Sequence, residues 1–246
     1  MQDRRFDRLG WRARIGVITP FAGLAATADF HKLAPAGVAM ALAQLPRPLS
    51  HDTVEQLAEV GTQIADAARR LAQVKSDVIL WNTTSGSLIK GPGYDRELIR
   101  TMEAATGTPS TTASTAMIDA FRKVGAQRIC LATPYIDEVN ELEKRFIESH
   151  GFDVLCYRGL QLLDVREIVD LPASDLYRLA HEADLPEADC LFISCAALSV
   201  LDILGLLEAD LGKPVLSTNQ VSLWGAFRLA GIEDTLHGYG SLLERP

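Results

Sequence analysis

Long apolar runs, paired cysteines, metal-spaced histidines and a surplus of positive charge are all missing from this 246-residue chain, and each absence removes a class of function. No segment approaches the roughly 18 uninterrupted apolar residues of a membrane-spanning helix, and the charged opening MQDRRFDRLGWRARIG holds no apolar stretch of signal length, so the cytoplasm is the expected compartment. Lys and Arg number 24 against 32 for Asp and Glu, a formal charge of −8. That field repels nucleic-acid phosphates and anionic membrane surfaces, and neither is an expected partner. Four cysteines, Cys130, Cys156, Cys190 and Cys195, show no C-x-x-C spacing. Three of the four sit in apolar strand-like runs, which argues for buried thiols over a disulfide framework. His31, His51, His150, His181 and His237 are scattered without metal-ligand spacing and read as surface residues. Gly91-Pro92-Gly93 is a turn without the spacing of a phosphate loop or a dinucleotide fingerprint. No metal, nucleotide or other cofactor is expected.

What the chain does have is 48% hydrophobic content, arranged as short apolar runs alternating with amphipathic stretches. That alternation is the pattern of an α/β fold with parallel sheets covered by helices. Strands are expected at 14–19, 37–42, 77–81, 110–112, 128–132, 152–157, 190–194 and 214–217. Helices are expected at 53–72, 94–105, 114–124, 136–150, 173–183, 198–211 and 221–230. Trp81 is expected in the core by strand alternation.

Three blocks of the first half recur in order in the second. RIGVITPF (14–21) lines up with RICLATPY (128–135), DVILWNT (77–83) with DCLFISC (189–195), and GTPSTTASTAMIDAFRKVG (107–125) with GKPVLSTNQVSLWGAFRLAG (212–231), at displacements of 114, 112 and 105 to 106. Near-constant displacement implies a duplication. The expected architecture is therefore a pair of pseudo-twofold lobes, each a short parallel sheet flanked by helices. Residues 1–113 with 214–246 would form the first lobe and 114–213 the second, with helices crossing between them and a cleft at the seam. In open parallel sheets ligands sit beyond the carboxyl ends of strands, which is where Pro20, Phe21, Thr83, Thr84, Ser85, Tyr135 and Cys195 all fall.

Under this alignment Thr83 and Cys195 are mates, each closing its lobe's strand before an expected helix. Helix N-terminal N–H groups at that place would favour a thiolate, so Cys195 is a candidate for holding or releasing a proton. Asn82-Thr83-Thr84-Ser85-Gly86-Ser87 is a hydroxyl-rich loop whose N–H and O–H groups can converge on a carboxylate, and the same residues also suit an N-cap. Tyr135 adds a phenolic donor or fills the core, and Phe21 is a candidate apolar wall.

The chain resembles the aspartate/glutamate racemase superfamily, in the branch that holds arylmalonate decarboxylase and maleate cis-trans isomerase. RIGVITP, NTTSGS, ATGTPSTTASTA, ATPYIDEVNE, LFISCAALSVLD, GKPVLSTNQVSLWGAFRLAG and GYGSLL carry the resemblance. The racemases and isomerases use two cysteines across the cleft; Cys195 matches the second, while the first falls on Thr83. A threonine hydroxyl cannot replace a thiolate as base or nucleophile. The resemblance to the single-cysteine decarboxylases implies that Thr84, Ser85 and Tyr135 hold one carboxylate and then the enediolate, with the backbone N–H of Ala196 as a further donor and Cys195 as the proton donor. Gly86 is a second departure, standing where the decarboxylase pattern has a bulky apolar residue. Malonate decarboxylation, an enolate-forming isomerization or racemization, and carboxylate binding without chemistry all remain open at this point. The expected partner is a small carboxylate or dicarboxylate; a homodimer is compatible with the pattern but not required by it.

Overall fold

The computed structural model describes residues 8–20, 23–45 and 53–244. Among the described residues, eight strands form two four-stranded sheets. The first contains β1 (Ala13–Thr19), β2 (Val38–Gln44), β3 (Val78–Trp81) and β4 (Ser110–Thr112) in the order β2-β1-β3-β4. The second contains β5 (Arg128–Thr133), β6 (Asp153–Gly159), β7 (Cys190–Ile193) and β8 (Val215–Ser217) in the order β6-β5-β7-β8. Every pairing is parallel. The central strands β3 and β7 are buried along their whole length, as expected where helices cover both faces, whereas the outer strand β2 is only partly covered.

The duplication is visible bond by bond. Asp77 N–H donates to the Arg14 carbonyl at 2.8 Å and Asp189 N–H to the Arg128 carbonyl at 2.8 Å. The carboxylates of Asp77 and Asp189 accept in return from the Arg14 and Arg128 N–H groups, at 2.8 and 2.9 Å. Ile79 bonds to the Pro109 carbonyl as Leu191 does to that of Pro214.

Between the strands lie α1 (Leu24–Leu33), α2 (Val54–Val60), α3 (Ile64–Gln73), α4 (Thr84–Leu88), α5 (Tyr94–Thr106), α6 (Ala113–Val124), α7 (Asp137–Ser149), α8 (Val165–Val169), α9 (Ala173–Ala183), α10 (Leu204–Leu211) and α11 (Thr218–Leu229). In α3, buried Ile64, Ala67, Ala68 and Leu71 follow the spacing of one helix face. α5 and α10 stop at Gly107 and Gly212, both at φ 67°, where a residue without Cβ turns the chain out of the helix. The helix expected over 53–72 is split by a 3-10 turn at Gly61–Gln63. The helix expected from 198 begins only at Leu204, after a 3-10 turn at Leu201–Ile203; α1 and α8 were not anticipated, whereas α4 is the helix expected to start after Thr83. Among the described residues no helix is long and apolar enough to cross a membrane.

The two sheets exchange helices. α6 leaves the first sheet, yet its Phe121 ring packs edge-on against Phe192 of β7 and Phe152, with centroids 5.5 and 5.4 Å apart. α11 leaves the second sheet and packs on β3, β4 and α1 of the first. The expected first-lobe segment 214–246 is thereby divided: its helix covers the first sheet, but β8 hydrogen-bonds to β7 and belongs to the second. The crossing helices meet face to face, and a Cβ added at Gly225 of α11 would lie 2.8 Å from the Ala116 Cβ of α6. Alanine is the better helix former by about 1 kcal/mol, yet overpacking a closed interface costs about 1–3 kcal/mol. Gly225→Ala is therefore expected to lower the unfolding free energy by about 1 kcal/mol in urea denaturation; a rise would mean that the α6–α11 contact yields easily.

Candidate active site

The parallel register brings four chain segments to one seam. Asn82 N–H bonds to the Ile18 carbonyl at 3.0 Å and Ser194 N–H to that of Ala132 at 2.9 Å, closing the β1–β3 and β5–β7 pairings. Beyond them stand Pro20 after β1, Thr83 after β3, Tyr135 after β5 and Cys195 after β7. Phe21 lies outside the described residues.

On the first-sheet side Thr83 caps α4, its hydroxyl accepting from Gly86 N–H at 3.3 Å. Ser87 Oγ donates toward the Thr83 and Thr84 carbonyls at 2.6 and 3.0 Å and meets Ser114 Oγ at 2.6 Å; Ser114 Oγ also reaches the Thr84 carbonyl at 3.0 Å. These bonds hold a five-residue helix of poor intrinsic propensity and keep Thr84 and Ser85 on its first turn. A Cβ at Gly86 would fall 2.7 Å from Thr83 Cγ2. The two departures noted in the sequence, Thr83 and Gly86, are thus one steric arrangement: the threonine methyl fills space that a side chain at position 86 would need.

On the second-sheet side Cys195 is buried and takes φ 135°, a region that a residue with a Cβ occupies at a cost of about 1–3 kcal/mol. The expected helix start behind it is absent. The chain makes a turn through Ala196 and Ala197 instead, and the Ala197 N–H donates to Cys195 Sγ at 3.4 Å.

Thr84 and Cys195 are joined through a residue that the sequence reading did not single out. Thr218, first residue of α11, accepts the Cys195 N–H at 2.9 Å, and its hydroxyl lies 2.7 Å from that of Thr84. The next residue, Asn219, accepts from Asn82 Nδ2 at 3.1 Å and donates to Asp29 Oδ2 at 2.9 Å and to the Ala196 carbonyl at 3.2 Å. The available signal was positional: Thr218 and Asn219 open the helix after β8 just as Ala113 and Ser114 open the helix after β4. Asp29 is almost fully buried, and burial pushes its carboxyl up to about 6 against the opposing pull of the Asn219 hydrogen bond.

Tyr135 is buried beside the seam, its backbone clamped from both sides. Its N–H meets Thr133 Oγ1 at 3.2 Å and its carbonyl accepts from Asn140 Nδ2 at 3.1 Å, while Thr133 and Asn140 bond each other at 2.6 Å. Ser85 is buried, Pro20 is buried and Ala196 is half-buried.

Behind the thiol loop sits a second buried carboxyl. Glu143 of α7 is fully enclosed and burial lifts it to about 7; the neighbouring Ser194 hydroxyl pulls the other way without forming a well-shaped hydrogen bond. The folded-state value lies above the ordinary 4.5, so folding favours the neutral acid. The resulting cost is absent below pH 4.5, grows as the pH rises and is complete above about 7. Relative to wild type, Glu143→Gln is expected to gain on the order of 2–3 kcal/mol of unfolding free energy at pH 8 over its effect at pH 4.5. Urea titrations at the two pH values measure this, and equal effects at both would contradict a buried titrating acid.

Taken together, two four-stranded parallel sheets exchange helices and meet at a seam where the Cys195 backbone and the Thr84 hydroxyl share Thr218. The chain belongs to the arylmalonate decarboxylase family, whose profile matches residues 15–243. It is 34% identical over 236 residues to the arylmalonate decarboxylase of Bordetella bronchiseptica, covering 94% of this chain and 96% of that protein. It is 27% identical over 197 residues to the maleate isomerase of Nocardia farcinica, covering 78% of each. Among solved structures, a double-mutant arylmalonate decarboxylase in its liganded form superposes with a TM-score of 0.87 at 32% identity, over 94% of this chain and 98% of that one. A Nocardia farcinica maleate cis-trans isomerase mutant with a covalently bound succinylcysteine intermediate shares the fold, with a TM-score of 0.88 at 22% identity over 94% and 98% of the two chains.

Proposed function

We propose that this protein is a cofactor-independent decarboxylase of substituted malonate-type dicarboxylates. The observation that carries the reading is the bridge from Thr84 through Thr218 to the backbone of Cys195, which ties a hydroxyl cradle to a lone thiol across the seam. In the proposed reaction the bond from the α-carbon to one carboxylate breaks and that group leaves as CO2. Its electron pair passes into the retained carboxylate, giving an enediolate. Thr84, Ser85 and Tyr135 hydroxyls and the Ala196 N–H would donate to the growing oxyanion charge as a preorganised set. The Cys195 S–H would then deliver its proton to one face of the planar carbon, and the thiolate would be reprotonated from water. Pro20 would line the apolar side from which CO2 departs.

Thr83 favours this reading over isomerization by thiolate addition or two-base racemization. Its hydroxyl is the N-cap of α4, accepting from Gly86, and no thiol stands at the mate position of Cys195. The lobe division that accompanies this proposal runs along the seam, with α6 assigned to the second sheet and α11 to the first.

Incubation of a prochiral disubstituted malonate in D2O should release CO2 and yield a monoacid of one hand carrying one deuterium at the α-carbon. Cys195→Ser is expected to lower kcat/KM about a thousandfold, some 4 kcal/mol of barrier, through the lost acidity of the donor. Thr83→Cys should add a second proton donor on the opposite face and erode the product's enantiomeric excess. No CO2 release and no exchange across a panel of malonates, maleate and amino acids would exclude the enzyme reading and leave a carboxylate-binding protein.

A further inference from the structure

The Ala196–Ala197 peptide is held at both ends: its carbonyl accepts from Asn219 Nδ2 at 3.2 Å and its N–H donates to Cys195 Sγ at 3.4 Å. A trans peptide is planar, with its carbonyl and N–H pointing in opposite directions. Anchoring the oxygen therefore aims the hydrogen. Asn219 in turn has no freedom to rotate its amide. Its two N–H groups serve Asp29 Oδ2 and the Ala196 carbonyl, and its oxygen accepts from Asn82 Nδ2. Turning the amide over would set its oxygen against the Asp29 oxygen and the Ala196 carbonyl, and its nitrogen against the Asn82 nitrogen. Asp29, Asn219 and Asn82 are each at most 2% exposed, so water does not substitute for a lost partner.

We infer that Asn219, braced by Asp29, is a positioning residue that keeps the Ala197 N–H directed at the Cys195 sulfur. This rests on the reading of Cys195 as the proton donor and adds how its sulfur is held. Packing alone does not call for a carboxyl at position 29: an apolar side chain of similar size would avoid the cost of burial that raises Asp29 to about 6. The nearby charges are Lys32 on the same helix and Asp202 in the Leu201–Ile203 turn, and these pair with each other. The Asp29 hydrogen bond goes to Asn219 alone among those the described residues form with its carboxyl. The chain of contacts runs from α1 of the first sheet, through the crossing helix α11, to the turn after β7 of the second.

The test is the rate at which iodoacetamide alkylates Cys195 near pH 7.5, followed by mass spectrometry of the peptide that contains it, together with kcat and KM for malonate decarboxylation. Loss of one aimed hydrogen bond to a developing thiolate is expected to slow alkylation roughly tenfold in Asn219→Ala, with kcat falling in step and KM staying within about twofold. Asp29→Leu should reproduce the effect. Asp29→Asn, which keeps an oxygen to accept from Asn219, should remain within about threefold of wild type. Asn219→Ser carries the same expectation should Asn219→Ala not fold. Unchanged alkylation in Asn219→Ala and Asp29→Leu, with only a lower melting temperature, would overturn the inference. An absence of decarboxylation in the wild type, with alkylation still slowed in the variants, would sink the proposed reaction while leaving the positioning role intact.

Discussion

The hydroxyl of Thr218 sits where the two halves of the molecule meet, accepting the Cys195 N–H while touching the Thr84 hydroxyl. Much of the seam depends on that small contact. A strand end in a parallel sheet presents unpaired backbone groups, and a buried group left without a partner costs about 1–3 kcal/mol. Cys195 adds to this an unfavourable backbone angle, so its turn persists only if surrounding bonds over-determine it. Thr218 bonds its N–H, Ala197 bonds its sulfur, and Asn219 holds the carbonyl that follows. All of these originate from one crossing helix or from the turn itself.

The crossing is a consequence of the duplication. Each half contributes a helix after its last strand, and each of those helices packs on the other half's sheet. The first residues of α11 consequently stand between β3 and β7, close enough to contact both strand ends. Two independent lobes with a flexible linker would leave each strand end to water. Exchange places a polar helix start between them and fixes the spacing of the groups on either side. The first-sheet loop shows the same economy, since one threonine methyl both fills the gap beside Gly86 and belongs to the residue that caps α4.

The strands were legible because apolar runs and turn residues pointed to eight places, six of which the internal repeat also marked. Helices were legible where an apolar stripe ran for three turns or more. The short α4 was legible only as a helix start after Thr83, because Thr-Ser-Gly-Ser reads equally as a loop and its turn is held by Ser87 and Ser114 bonds made across the fold. The turn after Cys195 was misread as a helix start: AALSVLDILGLL carries helical apolar spacing, but it turns at 196–197 and again at Leu201–Ile203, and the helix begins only at Leu204. Thr84, Ser85, Tyr135 and Cys195 were singled out as candidates through repeat and resemblance. Asp29, Asn219 and Glu143 were not, since each acts through a partner distant in sequence, and a buried carboxyl looks the same in a sequence as an exposed one.

The central claim is geometric, and a crystal structure of the protein with a bound, slowly reacting malonate analogue tests it most directly. The account predicts one carboxylate against Thr84, Ser85 and Tyr135, with Cys195 Sγ about 3–4 Å from the α-carbon on a single face. A ligand seated elsewhere, or a sulfur turned away from that carbon, would contradict it.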